Sequence, residues 1–184
     1  MRIVAGLAKG RRLMAPPSGT RPTSDRAREA LFSSLASLLD LDGARILDLF
    51  AGTGAVGLEA LSRGAAAAVL VESDRTAAEV LRRNVEAVAI PGATIVRRTA
   101  ATYLAGTADA PFDLVFADPP YDLDDAALAD LLAALGAPGW LADGAIVVVE
   151  RSARGGAPPW PAEFITPVRD RRYGAGVLWY GRRR

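Results

Sequence analysis

Residues 118–121 read DPPY directly after the apolar run FDLVFA. These residue types could bind an amine and orient its nitrogen for reaction. Two consecutive prolines lack backbone N–H groups and hold φ near −65°, so the stretch can continue neither a helix nor a central strand. The Asp118 carboxylate and the Pro119 carbonyl, which Pro120 fixes in orientation, can accept both N–H bonds of an exocyclic amine and leave its lone pair free to attack a methyl donor. Tyr121 offers a flat face on which an extruded nucleobase can stack. The alternative is a stiff turn in which Asp118 bonds to its own backbone and Tyr121 is half buried.

A glycine-rich loop follows the apolar run ILD and could hold a cofactor. Gly52, Gly54 and Gly57 fit the G-x-G-x-x-G pattern, in which glycines let the backbone approach a ligand closely. Asp48, which precedes the first glycine, would repel a pyrophosphate but attract a ligand with an ammonium and a sulfonium group, and that ligand is S-adenosylmethionine. Glu72 ends the next apolar run, where a carboxylate can accept both hydroxyls of a ribose. A helix cap at the strand end is the alternative role for Asp48.

The composition limits the chemistry to carboxylates, backbone groups and a cofactor. The 184 residues include neither cysteine nor histidine, which excludes disulfides, thiolate metal sites and the commonest general base. We therefore predict no metal site. An amine becomes acidic once it is methylated, so Asp118 or water can take its proton without a histidine. The length fits one domain, and since neither a membrane span nor a signal peptide is expected, we predict a cytoplasmic protein.

The net charge of +1 conceals an uneven distribution along the chain. Residues 1–30 carry a net charge of +5 and residues 151–184 one of +6, whereas residues 31–150 carry −10. All but one of the basic residues are arginine, which favours forked contacts to phosphate. Two basic ends around an acidic middle predict a polyanionic partner that is held by the termini.

The elements that must position these residues alternate between strands and helices. The predicted strands span 45–50, 67–72, 93–98, 112–117 and 144–150, and the predicted helices lie near 56–63, 74–88, 100–105 and 124–135. Strands that are apolar at nearly every position and separated by helices indicate a parallel sheet covered on both faces, which is an open α/β sandwich. The DPPY stretch then lies at the carboxyl edge of the sheet, where ligands of such folds bind.

The two ends of the chain have different patterns. Glycine, basic and proline residues alternate near the N-terminus and predict a small hairpin or extended arm. A helix follows, capped by Thr23 or Ser24, with Arg28 and Glu29 away from its apolar face. Two β-like runs about YGAG predict that the sheet ends in an antiparallel hairpin. We predict residues 1–40 as an N-terminal hairpin and helix extension and 41–184 as the main part of the same domain.

The chain resembles the RsmD family of class I S-adenosylmethionine-dependent methyltransferases, bacterial enzymes that methylate a guanine N2 in 16S ribosomal RNA. The resemblance rests on motifs that occur in the family's order and at about its spacing, namely RIVAGLAKGRRL, GTRPTSDRAREALF, LDLFAGTGAVGLEALSRGA, VESD, ADPPY, GWL and RRYG. It implies a Rossmann-like sandwich with a mostly parallel seven-stranded sheet, S-adenosyl-L-methionine as cofactor and 16S rRNA as partner. Because no dedicated RNA-binding module is apparent, we expect a small-subunit assembly intermediate as substrate. We expect a monomer because no extra apolar surface element is apparent.

The resemblance also implies the site residues. The cofactor site would comprise Asp48, Ala51, Gly52, Gly54, Glu72, Ser73 and Ala100. Within it, Glu72 would hold the ribose and Ala100 would lie near the adenine, while Thr99 stands where the family often has an acid or asparagine. The target base would lie at Asp118, Pro119, Pro120 and Tyr121. An RNA entrance would be formed by Arg21, Thr23, Asp25, Arg26 and Arg28.

Three other functions are open from the residues alone. The D-P-P-Y pattern also serves adenine-N6 and cytosine-N4 methyltransferases that act on DNA or RNA. The glycine loop could belong to a nicotinamide-dependent oxidoreductase, although Asp48 argues against a pyrophosphate there. A non-catalytic RNA-binding assembly factor could keep the fold without the reaction.

Overall fold

Strands and helices alternate from Arg45 onward, as the apolar pattern predicts. The computed structural model describes residues 1–15 and 25–184. The helices are α1 (Asp25–Leu35), α2 (Ala55–Ser62), α3 (Arg75–Val88), α4 (Ala100–Leu104) and α5 (Asp125–Ala134). The strands are β1 (Arg45–Asp48), β2 (Ala67–Val71), β3 (Ala93–Val96), β4 (Phe112–Ala117), β5 (Leu141–Ser152), β6 (Ile165–Tyr173) and β7 (Gly176–Arg183). Among the helices described here, none is both long and apolar enough to cross a membrane.

The seven strands form one sheet in the order β3-β2-β1-β4-β5-β7-β6. Strands β1 to β5 are parallel, and β7 is antiparallel to both β5 and β6. This confirms the mostly parallel, seven-stranded sheet that ends in an antiparallel hairpin. Strands β2 and β3 lie on one side of β1, whereas β4 and β5 lie on the other. Such a switch point opens a crevice at the carboxyl ends of the strands, which is where open α/β sheets bind ligands.

Each face of the sheet carries its own hydrophobic cluster, because strands in a covered parallel sheet are apolar on both sides. On the α1 face, Phe32 of α1 belongs to the same cluster as Ile46 and Val148. On the α5 face, Leu128 of α5 belongs to a second cluster with Val147. The N-terminal segment 1–15 shares the cluster of the α1 face through Ile3, Ala8 and Leu13. The boundary at residue 40 stays a prediction.

The N-terminal segment lies against α2, all of whose residues are buried. Within the segment, Arg2 and Arg12 form an isolated antiparallel bridge, so the predicted hairpin is short. Glu59 of α2 is fully buried, and its carboxylate accepts two backbone N–H groups of the segment at 2.7 and 3.0 Å. Gly6 has a φ of 80° and passes so close that a Cβ would lie 1.7 Å from the carbonyl oxygen of Ser62. Only glycine can therefore occupy this crossing.

One face of α1 differs from the prediction. Arg28, expected away from the apolar face, is fully buried in line with Leu31, Phe32 and Leu35. Its guanidinium donates to the Asp25 carboxylate at 2.8 Å and to the carbonyl of Arg2 at 2.5 Å. These contacts offset the cost of removing a charged group from water, so the helix can bury an arginine among apolar residues. The predicted helix cap, Thr23 or Ser24, lies outside the described residues.

Candidate active site

Acidic side chains end four neighbouring parallel strands at the same edge of the sheet. Asp48 is the last residue of β1, Glu72 and Asp118 directly follow β2 and β4, and Glu150 lies near the end of β5. Asp48 is aligned with Phe116, two residues before Asp118. Because the carboxyl ends of parallel strands meet at one edge, the four carboxyl groups lie along the crevice at the switch point.

Asp48 is buried, and its carboxyl group accepts hydrogen bonds from the backbone. Burial raises the pKa of this carboxyl to about 7, and the negative charge of Asp118 is the next cause. The backbone N–H groups of Phe50 and Gly57 donate to it and lower its pKa, whereas the charge of Glu72 adds a smaller rise. Its Oδ1 has no hydrogen-bond partner among the described residues. The carboxyl thus contacts the start of α2, as the helix-cap alternative expects, but a cap does not explain the second, unpartnered oxygen.

The loop between β1 and α2 and the first turn of α2 need glycine for two different reasons. Gly52 and Gly54 have φ values of 53° and 80°, which glycine adopts without strain. A Cβ on Gly54 would lie 2.3 Å from Leu81, and one on Gly57 would lie 2.2 Å from Leu70, so these glycines allow close packing against α3 and β2. A Cβ on Gly52 would meet no atom within 4 Å. The backbone of Gly52 therefore borders open space, where a ligand can approach it.

Glu72 connects the end of β2 to this loop. Its Oε2 accepts the N–H of Gly52 at 2.8 Å, and its Oε1 accepts the N–H of Asp74 at 2.7 Å. An ionised carboxylate has about four lone-pair sites, so each oxygen can accept a further hydrogen bond. The side chain is partly exposed. Glu72 can therefore hold its own loop and still accept the two hydroxyls of a ribose.

The remaining predicted cofactor residues have little polar chemistry of their own. Ala51 is buried, and its carbonyl accepts the N–H of Gly54 at 2.7 Å, which tightens the loop. Ser73 is exposed beside Glu72. Ala100 is buried at the start of α4, and the hydroxyl of Thr99 caps this helix by accepting the N–H of Thr102 at 3.1 Å. Ala100 has no polar side chain, so only its backbone could form hydrogen bonds with a ligand.

The residues present fit S-adenosylmethionine. The buried, unpartnered Oδ1 of Asp48 provides a place for a cationic group, the backbone of Gly52 is open, and Glu72 keeps acceptor positions. The same carboxyl groups would repel the pyrophosphate of a dinucleotide. The donor and acceptor pattern therefore favours a ligand that carries positive charge near Asp48 and a ribose near Glu72.

The DPPY stretch leaves β4 toward the same crevice. The Pro120 carbonyl accepts the N–H of Leu123 at 3.0 Å and closes a turn that leads to α5. The Pro119 carbonyl accepts no hydrogen bond from the described part of the chain. The side chain of Tyr121 is 78% exposed, whereas the turn alternative predicts that it is half buried. The Pro119 carbonyl and the Tyr121 ring are thus both accessible to a substrate.

Glu150 is a site residue that sequence reasoning missed. Ala117 is aligned with Val149, so Asp118 and Glu150 lie side by side on β4 and β5. Burial, followed by the negative charge of Asp118, raises the pKa of the Glu150 carboxyl to about 7. Its Oε2 is buried without a hydrogen-bond partner among the described residues. The signal in the sequence is the acid that ends the apolar run AIVVVE, which matches the position of Asp48 after its own strand.

Asn84 of α3 is a second residue that sequence reasoning missed, and it links the N-terminal segment to the glycine loop. Its side chain is fully buried. Oδ1 accepts the N–H of Met14 at 2.8 Å, while Nδ2 donates to the carbonyls of Met14 at 3.0 Å and Thr53 at 2.9 Å. Thr53 lies between the first two glycines of the loop. The signal was a lone polar residue in the apolar row of α3, in line with Leu81 and Val88.

The five residues predicted at the RNA entrance do not share one environment. Asp25 is partly exposed, and its carboxylate pairs with Arg28. Arg21 and Thr23 lie outside the described residues. Arg26 is exposed in the first turn of α1. Arg28 is fully buried, so its placement does not support a direct contact with RNA. Its guanidinium instead holds α1 to the N-terminal segment.

Known proteins are similar to this chain in both sequence and fold. A family model described as "Conserved hypothetical protein 95" matches residues 1–182. A relative from Escherichia coli K12, "Ribosomal RNA small subunit methyltransferase D", is 43% identical over 167 residues, which cover 89% of this chain and 81% of that protein. The protein of the same name from Haemophilus influenzae is 36% identical over 154 residues, covering 82% and 78%. The solved structure of yhhF, a candidate methyltransferase from Escherichia coli, has a TM-score of 0.88 and 37% identity, and covers all of this chain and 97% of that one. With its family matched almost end to end and its fold shared, the chain belongs to the RsmD family of S-adenosylmethionine-dependent methyltransferases.

Proposed function

We propose that this enzyme transfers a methyl group from S-adenosyl-L-methionine to the exocyclic N2 amine of a guanine in 16S ribosomal RNA. One observation carries the proposal: the acid-led glycine loop and the DPPY stretch meet at the same sheet edge, where Asp48 is aligned with a residue two positions before Asp118. The names of the relatives from Escherichia coli and Haemophilus influenzae support small-subunit ribosomal RNA as the substrate.

The cofactor side of the site consists of groups that bind and orient. S-adenosylmethionine, when bound, supplies an electrophilic methyl group. The unpartnered Oδ1 of Asp48 would accept its cationic end, and the burial of Asp48 strengthens that attraction because little water screens it. Glu72 would hold the ribose, the backbone at Ala51, Gly52 and Gly54 would follow the ligand, and Ser73 and Ala100 would border its nucleoside part.

The amine side of the site consists of acceptors. Asp118 would accept one N–H of the target amine and the Pro119 carbonyl the other, which pulls the nitrogen lone pair out of conjugation with the ring. The second proline fixes that carbonyl outside any strand ladder, and this agrees with its lack of a partner in the described residues. The exposed ring of Tyr121 would stack on the base. Two acceptors at fixed positions favour an amine over a hydroxyl as methyl acceptor.

Proton removal needs no further residue type. Once the amine nitrogen has gained the methyl group it becomes acidic, and Asp118 would take the proton or pass it to water. Glu150 beside it adds a second carboxyl group, whose raised pKa of about 7 reflects burial and the charge of Asp118. The site can thus work without histidine, which the chain lacks.

The RNA would approach from the side of the basic N-terminal region. Arg21, Thr23 and the exposed Arg26 are the proposed contacts, and Arg28 would support them by fixing α1. The relatives are named for the ribosomal RNA of the small subunit, and we propose a small-subunit assembly intermediate as the substrate. We further propose that the enzyme acts as a monomer in the cytoplasm, where such particles are assembled.

The test is methyl transfer to small subunits and assembly intermediates from a strain that lacks the activity. Wild type and Asp118→Ala are compared, with Asp143→Ala as the matched control, because the side chain of Asp143 is fully exposed near the opposite end of β5. We expect Asp118→Ala to lose at least a hundredfold in kcat while it still binds S-adenosylhomocysteine, and Asp143→Ala to behave as wild type. Equal activity of Asp118→Ala and wild type would remove the catalytic assignment.

Mapping the methylated nucleotide distinguishes the proposed substrate from the alternative substrates. Mass spectrometry of the methylated ribosomal RNA should find a single guanine that carries the new group on N2. Tritium incorporated into DNA rather than RNA would instead favour an adenine-N6 or cytosine-N4 methyltransferase. Activity on naked RNA equal to that on the particles would overturn the assembly-intermediate substrate and leave the reaction in place.

A further inference from the structure

Two exposed arginines near the end of β6 have no role in the site described above. Arg171 and Arg172 belong to the RRYG motif, and β6 is an edge strand of the sheet. Arg171 donates to the backbone carbonyl of its neighbour Asp170 at 3.0 Å. Neither guanidinium forms an ion pair with an acidic side chain among the described residues. Both positive charges thus face solvent without a protein counter-charge.

The register of the sheet brings these arginines to the catalytic edge. Leu178 of β7 is aligned with Glu150 on one side and with Arg171 on the other. Glu150 in turn lies beside Asp118, since the residues before them are aligned. Neighbouring strands are about 4.8 Å apart, so three strand spacings place the backbone of Arg171 roughly 14 Å from that of Asp118. The arginines and the DPPY stretch therefore lie along one edge of the molecule.

The side chains of Arg171 and Arg172 extend from opposite faces of the sheet at the end of β6. Leu178, the register partner of Arg171, is buried in the cluster of the α1 face. Side chains alternate along a strand, so Arg171 extends on the α1 face and Arg172 on the α5 face. A nucleic-acid backbone that passes over the end of β6 would therefore meet positive charge on both faces of the sheet.

The acidic crevice creates a need for such a surface. Asp48, Glu72, Asp118 and Glu150 would repel the phosphates of any strand whose base enters the crevice. The backbone next to that base must therefore pass over neutral or basic surface close by. Arginine suits this because its planar fork matches two phosphate oxygens at once.

We propose that Arg171 and Arg172 bind the phosphate backbone of the RNA strand adjacent to the target nucleotide, an inference that rests on the proposed RNA substrate. The surface would hold the strand on the β6 side while the N-terminal region holds it on the other. It positions the substrate and takes no part in the chemical step, so its loss affects KM and leaves kcat in place. The alternative role is edge protection, because charges on an edge strand also prevent pairing with other chains.

The experiment compares Arg171→Ser/Arg172→Ser with Arg82→Ser/Arg83→Ser, which removes two arginines that are also exposed, here on α3, and changes the net charge by the same amount. Affinity for a single-stranded oligoribonucleotide is measured by fluorescence anisotropy at several salt concentrations. We expect the β6 variant to bind about tenfold more weakly than the α3 variant at low salt. The slope of log affinity against log salt should fall by about 1.4, as for two lost phosphate contacts on a single strand. Arg171→Lys/Arg172→Lys, which keeps the charges, should restore most of the slope.

Two outcomes would overturn the inference. One is an RNA affinity and salt slope equal to those of the α3 variant. The other is self-association of the β6 variant in light scattering with RNA affinity unchanged, which would assign the arginines to edge protection. Failure of the proposed function is separate: wild type would then bind RNA without transferring methyl groups to small subunits, and the binding comparison would still decide the role of β6. Where transfer occurs, the β6 variant should show a raised KM for the particle and an unchanged kcat.

Discussion

Glu72 and Gly52 are joined by a hydrogen bond of 2.8 Å, from the N–H of Gly52 to Oε2 of Glu72. The bond connects the end of β2 to the loop after β1, and the other oxygen of the same carboxylate accepts the N–H of Asp74 ahead of α3. The acid proposed to hold the ribose therefore also fixes the loop proposed to border the cofactor. Binding and loop geometry depend on one carboxylate.

Glu72→Ala should weaken the binding of S-adenosylhomocysteine by more than tenfold. The substitution removes the ribose acceptor and leaves the N–H groups of Gly52 and Asp74 without their partner. Glu72→Gln keeps one acceptor oxygen, so its affinity for S-adenosylhomocysteine should lie between those of the wild type and Glu72→Ala. Isothermal titration calorimetry measures the affinities. Glu79→Ala is the control, since Glu79 is an exposed acid on α3 paired with Arg75, and equal affinities of Glu72→Ala and this control would contradict the role of Glu72.

Asp48→Asn should stabilise the ligand-free protein at pH 8 and abolish cofactor binding. Burial holds the pKa of Asp48 at about 7 against an ordinary 3.8, so the folded state retains a proton that the unfolded state has lost, and stability falls as pH rises between these values. Above pH 7 the full cost is on the order of 4 kcal/mol, and below about pH 4 it vanishes. The amide removes this cost, so the variant's gain in melting temperature should be larger at pH 8 than at pH 5.

Calorimetric melting at both pH values provides the measurement for Asp48. Glu150 contributes in the same direction, because its pKa is also raised to about 7, so the wild type should melt at a lower temperature at pH 8 than at pH 5. Asp143→Asn, an exposed acid, should show no such pH-dependent gain. A gain for Asp48→Asn that is the same at both pH values would mean that ionisation of Asp48 does not oppose folding.

The alternation of strands and helices could be predicted because buried parallel strands are apolar throughout and leave a strong local pattern. The sequence also indicated three of the acids that follow the strands, namely Asp48, Glu72 and Asp118. Glu150 was missed because no glycine loop or proline pair marks its strand. Its importance arises from register, which places it beside Asp118 and is not written in its local sequence.

Two further residues show why burial of polar groups escapes pattern reading. Arg28 lies on the buried face of α1, where a carbonyl of the N-terminal segment and the Asp25 carboxylate accept hydrogen bonds from its guanidinium. Asn84 is buried because it satisfies backbone groups of two segments that are distant in sequence. In each case at least one partner lies in a segment that is distant in sequence, so hydrophobic periodicity alone assigns such residues to the surface.

Tyr121→Ala should reduce kcat/KM for the RNA substrate by about five- to 150-fold without changing stability. The ring is 78% exposed, so removing it exposes no core, and a surface substitution of this kind changes stability by less than about 0.5 kcal/mol. Stacking of a base on an aromatic ring contributes about 1–3 kcal/mol. Steady-state kinetics and a thermal melt measure the two quantities. Tyr121→Phe keeps the ring and should retain activity, so a loss as large as that of the alanine variant would assign the effect to the hydroxyl instead.

Asn84→Ala should weaken cofactor binding as well as stability, because one side chain supports both the N-terminal segment and the glycine loop. The substitution leaves the N–H and carbonyl of Met14 and the carbonyl of Thr53 without their partner, and we expect a loss of about 3 kcal/mol in the free energy of unfolding. Val88→Ala is the matched control: it lies one turn further along α3, is equally buried, and should cost about 2 kcal/mol through a cavity, without removing a side-chain hydrogen bond to the loop. Denaturant unfolding gives the stabilities, and calorimetry with S-adenosylhomocysteine well below the melting temperature gives the affinities. A several-fold loss of affinity in the asparagine variant alone would show that the loop depends on Asn84. Equal affinities in the two variants would confine Asn84 to holding the fold.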